Sequence, residues 1–269
     1  MKTCIITIIK DEQLYLEEWI AYHLKLGIDK IFIYEDLNSS SHSYITSKYQ
    51  NVELMHVLDL YKTEQERADE IIRRIDLQKF QNNYFNLAYK TVKQYFDWCF
   101  IMDVDEYITI DDDLHTILAK YNDYDAFMLQ WQNYNANGLY YKPKTPYSLI
   151  DTYTEKCGFS KIDCITRNTK KICLNCNRYD YVFMMHWPYN LSKWCLSNFT
   201  KSFYDISYSN IYLSHYVCKS YEEYATKLFI RGMCHPGHRQ IADFFDYNQN
   251  MRNKEIIDDI NRKLKLLYY

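Results

Sequence analysis

Trp98-Cys99-Phe100-Ile101-Met102-Asp103-Val104-Asp105-Glu106-Tyr107 is an apolar run that stops at a cluster of carboxylates. A short run of this kind, rich in aromatic and large aliphatic residues, reads as a strand buried on both faces, the type found in helix-covered parallel sheets. Carried through Val104, the strand would put Asp103 and Asp105 on one face, because side chains alternate with a period of two. Two carboxylates side by side repel unless something positive lies between them. A hard divalent cation, Mn²⁺ or Mg²⁺, bridging to a diphosphate meets that need. A bare Asp-x-Asp is also common by chance, and a solvated acidic turn after a strand looks the same. The rest of the chain has to decide.

Towards the amino terminus the pattern repeats. Thr3 to Lys10 reads as a buried strand, with Asp11-Glu12 at its carboxyl end. Asp11 is a suitable N-cap for a helix carrying Leu14, Trp19, Ile20, His23 and Leu24 near helical spacing, and Gly27 closes it. Lys30 to Tyr34 is a second strand, ending in Glu35-Asp36. A short helix over Tyr44 to Tyr49, a third strand over Val52 to Leu58, and a long helical stretch from Glu64 to Tyr95, in one or two pieces, lead back to Trp98. The alternation of strand and helix predicts a parallel α/β sheet with right-handed crossovers. Such sheets bind ligands at the carboxyl ends of their strands. Acids at three strand ends, Asp11-Glu12, Glu35-Asp36 and Asp103 with Asp105, are stronger evidence together than any one alone.

Beyond the acidic cluster, Leu114 to Tyr121 reads as a helix and Ala126 to Tyr134 as a strand, followed by a loop with Asn135, Asn137 and Gly138. Residues 143 to 185 read as irregular with short strands. Cys157, Cys164, Cys173 and Cys176 fall there, but only the last two have the Cys-x-x-Cys spacing of a zinc knuckle, so a zinc site is disfavoured. Ser220-Tyr221-Glu222-Glu223 is a capping box opening a helix that runs to Arg231, and Lys254 to Leu267 forms a last amphipathic helix. No Pro/Gly/Ser-rich linker divides the chain, so one domain over 1–269 is expected. Its parts are an amino-terminal half (1–107), a second half (108–245) and a carboxyl-terminal helix (246–269).

Composition narrows the function classes. A net charge of −3 across 269 residues gives no basic excess, which argues against a general nucleic-acid binder. Neither Gly-x-Gly-x-x-Gly nor a Gly-Lys-Ser/Thr phosphate loop is present, which argues against dinucleotide dehydrogenases and P-loop enzymes. The 29 tyrosines provide rings able to stack on sugar faces. No apolar stretch reaches the roughly 18 residues of a membrane helix. With no signal-peptide core and nine cysteines, an odd number, reduced thiols and a cytoplasmic location are expected.

Taken in order, these motifs resemble the GT-A type glycosyltransferases, specifically the family 92-like group, related to family 2. The resemblance is carried by Lys10-Asp11-Glu12 with Leu16, Glu18-Trp19 and His23; by Tyr34-Glu35-Asp36; by Gln81 and Asn86; by Asp103-Val104-Asp105-Glu106-Tyr107; by Trp131 to Gly138; and by His215-Tyr216-Val217-Cys218-Lys219-Ser220-Tyr221-Glu222-Glu223-Tyr224 with Lys227 and Arg231-Gly232. It spans residues 3 to 245. The family pattern has Asn where this chain has Asp11, and a Ser-Ser-Gly type of loop where this chain has Asn135-Ala136-Asn137-Gly138.

The resemblance implies a GT-A, Rossmann-like, mostly parallel sheet flanked by helices, with a mixed acceptor-side second half. It implies metal-dependent transfer of a sugar, with inversion, from a nucleotide donor such as UDP-galactose to a hydroxyl of a glycan acceptor. Mn²⁺ or Mg²⁺ would be held by Asp103, Asp105 and His215. Lys10, Asp11, Glu12, Asp36, Gln81, Asn86 and Asp103 would line the donor pocket, and Trp131, Asn133 and Gly138 the acceptor side. Inversion needs a general base, for which Asp163 and Asp180 stand as candidates. The competing readings are a nucleotidyltransferase making the nucleotide sugar, which lacks its usual Gly-rich loop here, and an inactive sugar- or nucleotide-binding module.

Overall fold

The computed structural model describes residues 1–37, 39–73, 77–144, 147–160, 169–181, 183–188, 194–196, 210–231 and 240–266. The amino-terminal part builds as its sequence pattern predicts. Strand β1 (Thr3–Ile9) leads into helix α1 (Leu16–Leu26), then β2 (Lys30–Glu35), α2 (Ser43–Thr46), β3 (Val52–His56), α3 (Glu64–Arg73), α4 (Leu77–Val92) and β4 (Trp98–Ile101). These are followed by β5 (Glu106–Ile110), α5 (Leu114–Ala119), β6 (Ala126–Tyr134), α6 (Leu149–Thr152), β7 (Lys156–Cys157) and β8 (Lys170–Asn175). The last elements are β9 (Phe183–Met184), β10 (Trp187–Pro188), β11 (Trp194–Leu196), β12 (Ile211–His215), α7 (Tyr221–Thr226), α8 (Ile241–Tyr247) and α9 (Lys254–Leu266). A π-helical turn over Lys227–Arg231 continues α7.

The main sheet runs β3-β2-β1-β4-β8-β6-β12-β5. Strands β1 to β4 pair in parallel, while β8 lies antiparallel between β4 and β6. Alternate residues sort the faces. Cys4 and Ile6, Cys99 and Ile101, Ile172 and Leu174, and Ala126 and Met128 all join one core with Tyr84, Phe85, Ala88, Tyr89 and Val92 of α4. Fully burying one such large apolar side chain contributes roughly 1.5–3 kcal/mol.

The chain forms two compact units, Met1–Trp131 with Lys170–Leu213, and Gln132–Thr169 with Ser214–Tyr269. The second has its own core of Ala136, Tyr221, Tyr224, Phe244, Tyr247, Ile260 and Leu264. Among the described residues, no helix is long and apolar enough to cross a membrane.

Two local expectations are revised. Strand β4 ends at Ile101, not Val104, so Asp103 and Asp105 sit in a turn and not on a continuing strand. Asp11 does not cap α1, whose N-cap is Tyr15 without a side-chain cap; Asp11 takes a left-handed conformation at φ 52°. Short strands do fall within 143–185, as expected; one of them, β8, is fully buried inside the main sheet. Gly27 closes α1 as expected, at φ 109°, where a Cβ would be strained.

Candidate active site at the strand ends

The ends of β1 and β2 are stitched into one surface. Asp36 N donates to Ile9 O at 2.8 Å, continuing the β1–β2 ladder by one bond. Ser40 N donates to Asp11 Oδ1 at 2.9 Å, and Asp11 N donates to Ser39 Oγ at 3.2 Å. Glu12 N donates to His42 Nε2 at 3.0 Å. Since Nε2 accepts there, the His42 proton is on Nδ1, which donates to Glu35 Oε1 at 2.8 Å. His42 is wholly buried. Its imidazole therefore joins the β2 end to the Asp11-Glu12 turn, a role that the sequence pattern did not reveal.

The acidic cluster is a closed turn. Glu106 N donates to Asp103 O at 3.2 Å, and Asp103 N donates to Glu106 Oε2 at 2.8 Å. Lys171, from β8, sends its ammonium to Asp103 Oδ2 at 2.7 Å and comes within 3.8 Å of Glu106 Oε1. The Lys171 side chain is 0% exposed and that of Asp103 36%. Burial alone would lower the lysine pKa, but the Asp103 and Glu106 carboxylates outweigh it and hold it above the ordinary value. Glu106 is wholly buried, and burial pushes its carboxyl well above the usual range against the pull of Lys171. The charged pair is thus Lys171 with Asp103, and Glu106 is biased towards its neutral form. Among the described residues, Glu106 Oε1 has no hydrogen-bond partner.

Helix α1 fixes the strand that follows this turn. Trp19 Nε1 donates to Glu106 O at 2.7 Å, and Tyr22 OH donates to Ile108 O at 2.7 Å. His23 Nε2 accepts from Ile108 N at 3.2 Å, while its Nδ1 donates to Trp19 O at 2.8 Å. Burial drives the His23 pKa down to about 3, so it stays neutral. Trp19 and His23, singled out by sequence, are supports of β5.

The other expected residues are placed as follows. Lys10 and Gln81 are partly buried and engaged in contacts. Both amide hydrogens of Asn86 are used, on Asn82 O at 2.6 Å and Phe183 O at 2.7 Å, and its oxygen accepts from Phe183 N at 2.9 Å. Asn86 therefore clamps β9 to α4. Asp105 is 5% exposed. Asp180 is ion-paired to Lys93 at 2.5 Å, beside the amino end of β4, the end opposite Asp103. Asp163 and Cys164 lie outside the described residues. Trp131 is buried in the first unit, edge-on to His186 with ring centroids 5.6 Å apart. In the second unit, His215 Nδ1 lies 2.9 Å from Asn133 Oδ1. Gly138 sits at φ 74° in a loop held by Asn137, which pairs with Thr154 and Glu155. Cys173 and Cys176 are buried free thiols, and Cys157 is a free thiol in the second unit.

Asp103 and Asp105 offer the hard oxygen ligands that Mg²⁺ and Mn²⁺ accept, and one Asp103 oxygen is left over from the Lys171 bond. Among the described residues, no three His, Cys, Asp or Glu side chains are grouped to hold a metal by themselves. Mg²⁺ commonly binds through one or two carboxylates and completes its shell with substrate phosphates and water. The donor set fits such an ion.

A helix-flanked, mostly parallel sheet with an acidic turn at its strand ends defines a Rossmann-like α/β enzyme fold. The chain belongs to glycosyltransferase family 92, whose family model matches residues 1–264, and the protein is a glycosyltransferase. No curated protein matches it in sequence. Among solved structures it is similar to HddC from Yersinia pseudotuberculosis, at 10% identity and a TM-score of 0.36, over 73% of this chain and 91% of that one. It is also similar to 4-diphosphocytidyl-2C-methyl-D-erythritol synthase from Anaerococcus prevotii, at 9% identity and a TM-score of 0.31, over 98% and 96%. Likenesses this distant add nothing to the reading of function.

Proposed function

We propose that this glycosyltransferase moves a hexose, galactose or a close relative, from a UDP-sugar to a hydroxyl of a carbohydrate acceptor, with inversion and with Mn²⁺ or Mg²⁺. The observation that supports this reading best is the Asp103–Glu106 turn, held by Lys171 beside the stitched β1 and β2 ends. The carboxyl ends of parallel strands are where α/β sheets bind nucleotides. Asp11, Glu12 and Asp36 would line the nucleoside pocket there. Asp105 and the Asp103 oxygen not bonded to Lys171 would hold the metal, which when bound neutralises charge developing on the leaving diphosphate. Glu106, through the Asp103 N–H, and Lys171, through Oδ2, hold Asp103 in place, so its carboxylate need not reorganise during the reaction. The resemblance assigns His215 to the same metal, an assignment that rests on sequence.

The test is incubation with Mn²⁺ and a panel of UDP-sugars, with and without oligosaccharide acceptors. Metal-dependent release of UDP, and a transferred sugar of inverted configuration, are expected. Pyrophosphate formed from UTP and a sugar phosphate would point to a nucleotidyltransferase instead. Binding without turnover across the panel would point to an inactive module.

A further inference from the structure

Asn133 is the last residue but one of β6 and is 1% exposed. Its Nδ2 donates to Gly158 O at 3.2 Å, and its Oδ1 lies 2.9 Å from His215 Nδ1. These two contacts are linked. The Gly158 carbonyl has no proton to give, so the amide must turn its NH₂ towards it. The reversed amide would set its oxygen against the Gly158 carbonyl and leave that oxygen of buried Asn133 without a donor, at a cost of about 1–3 kcal/mol. With the amide fixed, Oδ1 faces His215 and can only accept. The imidazole must then carry its proton on Nδ1.

The surrounding backbone leaves this arrangement little freedom. Asn133 pairs across to Cys157 in the β6–β7 ladder, and Gln132 Nε2 bonds both Asn133 O and Cys157 O. Gly158 is thus held next to the strand that carries Asn133. His215, 4% exposed, is the last residue of β12, the neighbour of β6 in the sheet.

We infer that Asn133 is a positioning residue which fixes neutral His215 as the Nδ1–H tautomer and so makes Nε2 its lone-pair nitrogen. An imidazole held this way by a partner on its second nitrogen is set to bind a Lewis acid or accept a proton through the first. That use rests on the metal reading given above; the tautomer does not. This makes Asn133 a support of the His215 ring.

The test uses the whole protein with ¹⁵N-labelled histidine, at about pH 8, above the ordinary histidine range. Long-range ¹H–¹⁵N correlation, with His215 assigned from the His215→Gln variant, should show a proton-bearing Nδ1 and a lone-pair Nε2. A proton on Nε2, or an averaged pair, overturns the inference. Asn133→Leu should lose the single tautomer and weaken Mn²⁺-dependent UDP binding by about 10–100-fold, the usual effect of removing such a support. An unchanged His215 spectrum in that variant would also overturn it. Should Asn133→Leu fail to fold, Asn133→Asp, which keeps an acceptor facing Nδ1, must retain the wild-type tautomer. Trace Mn²⁺ with UDP should broaden the His215 Nε2 signal first. Absence of broadening with the Nδ1–H tautomer intact rejects the metal assignment of His215 alone.

Discussion

Lys171 Nζ lies 2.7 Å from Asp103 Oδ2, the two residues being 68 apart in sequence and on neighbouring strand ends of one sheet. The positive group that the acidic turn calls for is thus supplied in part by the chain itself. A metal bound there would meet a cluster already partly neutralised, which lets the turn keep its shape without an ion.

Removing that cation should be costly. Lys171→Met leaves Asp103 and buried Glu106 without their counter-charge. Breaking a buried pair from one side costs roughly 3–5 kcal/mol, discounted to about 2–4 here because Asp103 is partly solvated and Glu106 can protonate. Urea unfolding checks this, and a variant as stable as wild type would mean that the pair contributes nothing.

Asp105→Asn should keep the fold and lose turnover. If Asp105 ligates the metal, replacing its carboxylate should lower the Mn²⁺-dependent rate by at least about 100-fold, the scale of losing one electrostatic stabiliser. Initial rates with Mn²⁺, beside the urea midpoint, measure both effects. Near wild-type turnover would remove Asp105 from the metal site.

His42→Ala should loosen the seam between the β1 and β2 ends. Glu12 N loses its acceptor, at roughly 1–3 kcal/mol for a group left unsatisfied, while Glu35 Oε1 loses the Nδ1–H but keeps the His42 backbone N–H at 2.6 Å. UDP binding by calorimetry should weaken by about ten-fold, equivalent to ~1.4 kcal/mol. Glu35→Gln keeps an oxygen to accept the Nδ1–H and should be milder. No loss in Glu35→Gln beside a full loss in His42→Ala would argue that His42 does not act through its bond to Glu35.

His23 makes stability depend on pH. Its folded pKa, near 3, lies below the unfolded value of 6.5, so between these limits the unfolded chain binds more protons. The stability contribution is therefore complete above about pH 6.5 and falls by up to about 1.4 kcal/mol per unit as pH drops towards the folded value. The stability difference between wild type and His23→Gln, followed by urea unfolding from neutral pH to about 4.5, should shrink over that window. A flat difference would show that His23 titrates alike in both states.

Where a signal was local, the sequence alone determined the outcome. Period-two and period-3.6 patterns placed β6 at Ala126–Tyr134 and the two helical pieces before β4. Ser220 and Glu223 wrote their own capping box, and Gly27 its own helix end, because those bonds close within four residues. The acids at the ends of β1, β2 and β4 were likewise visible as runs that stop. Only the tertiary structure decided what those acids touch. The six residues of β8 carry two lysines at their start and give no sign of a central strand; the sheet buries them because β4 and β6 cover both edges and Asp103 takes the charge of Lys171. The proton positions on His42, His23 and His215 follow from carbonyls and amides brought beside them from 30, 85 and 82 residues away. A side chain's partner across such distances depends on how the strands are ordered, and no local periodicity encodes that order.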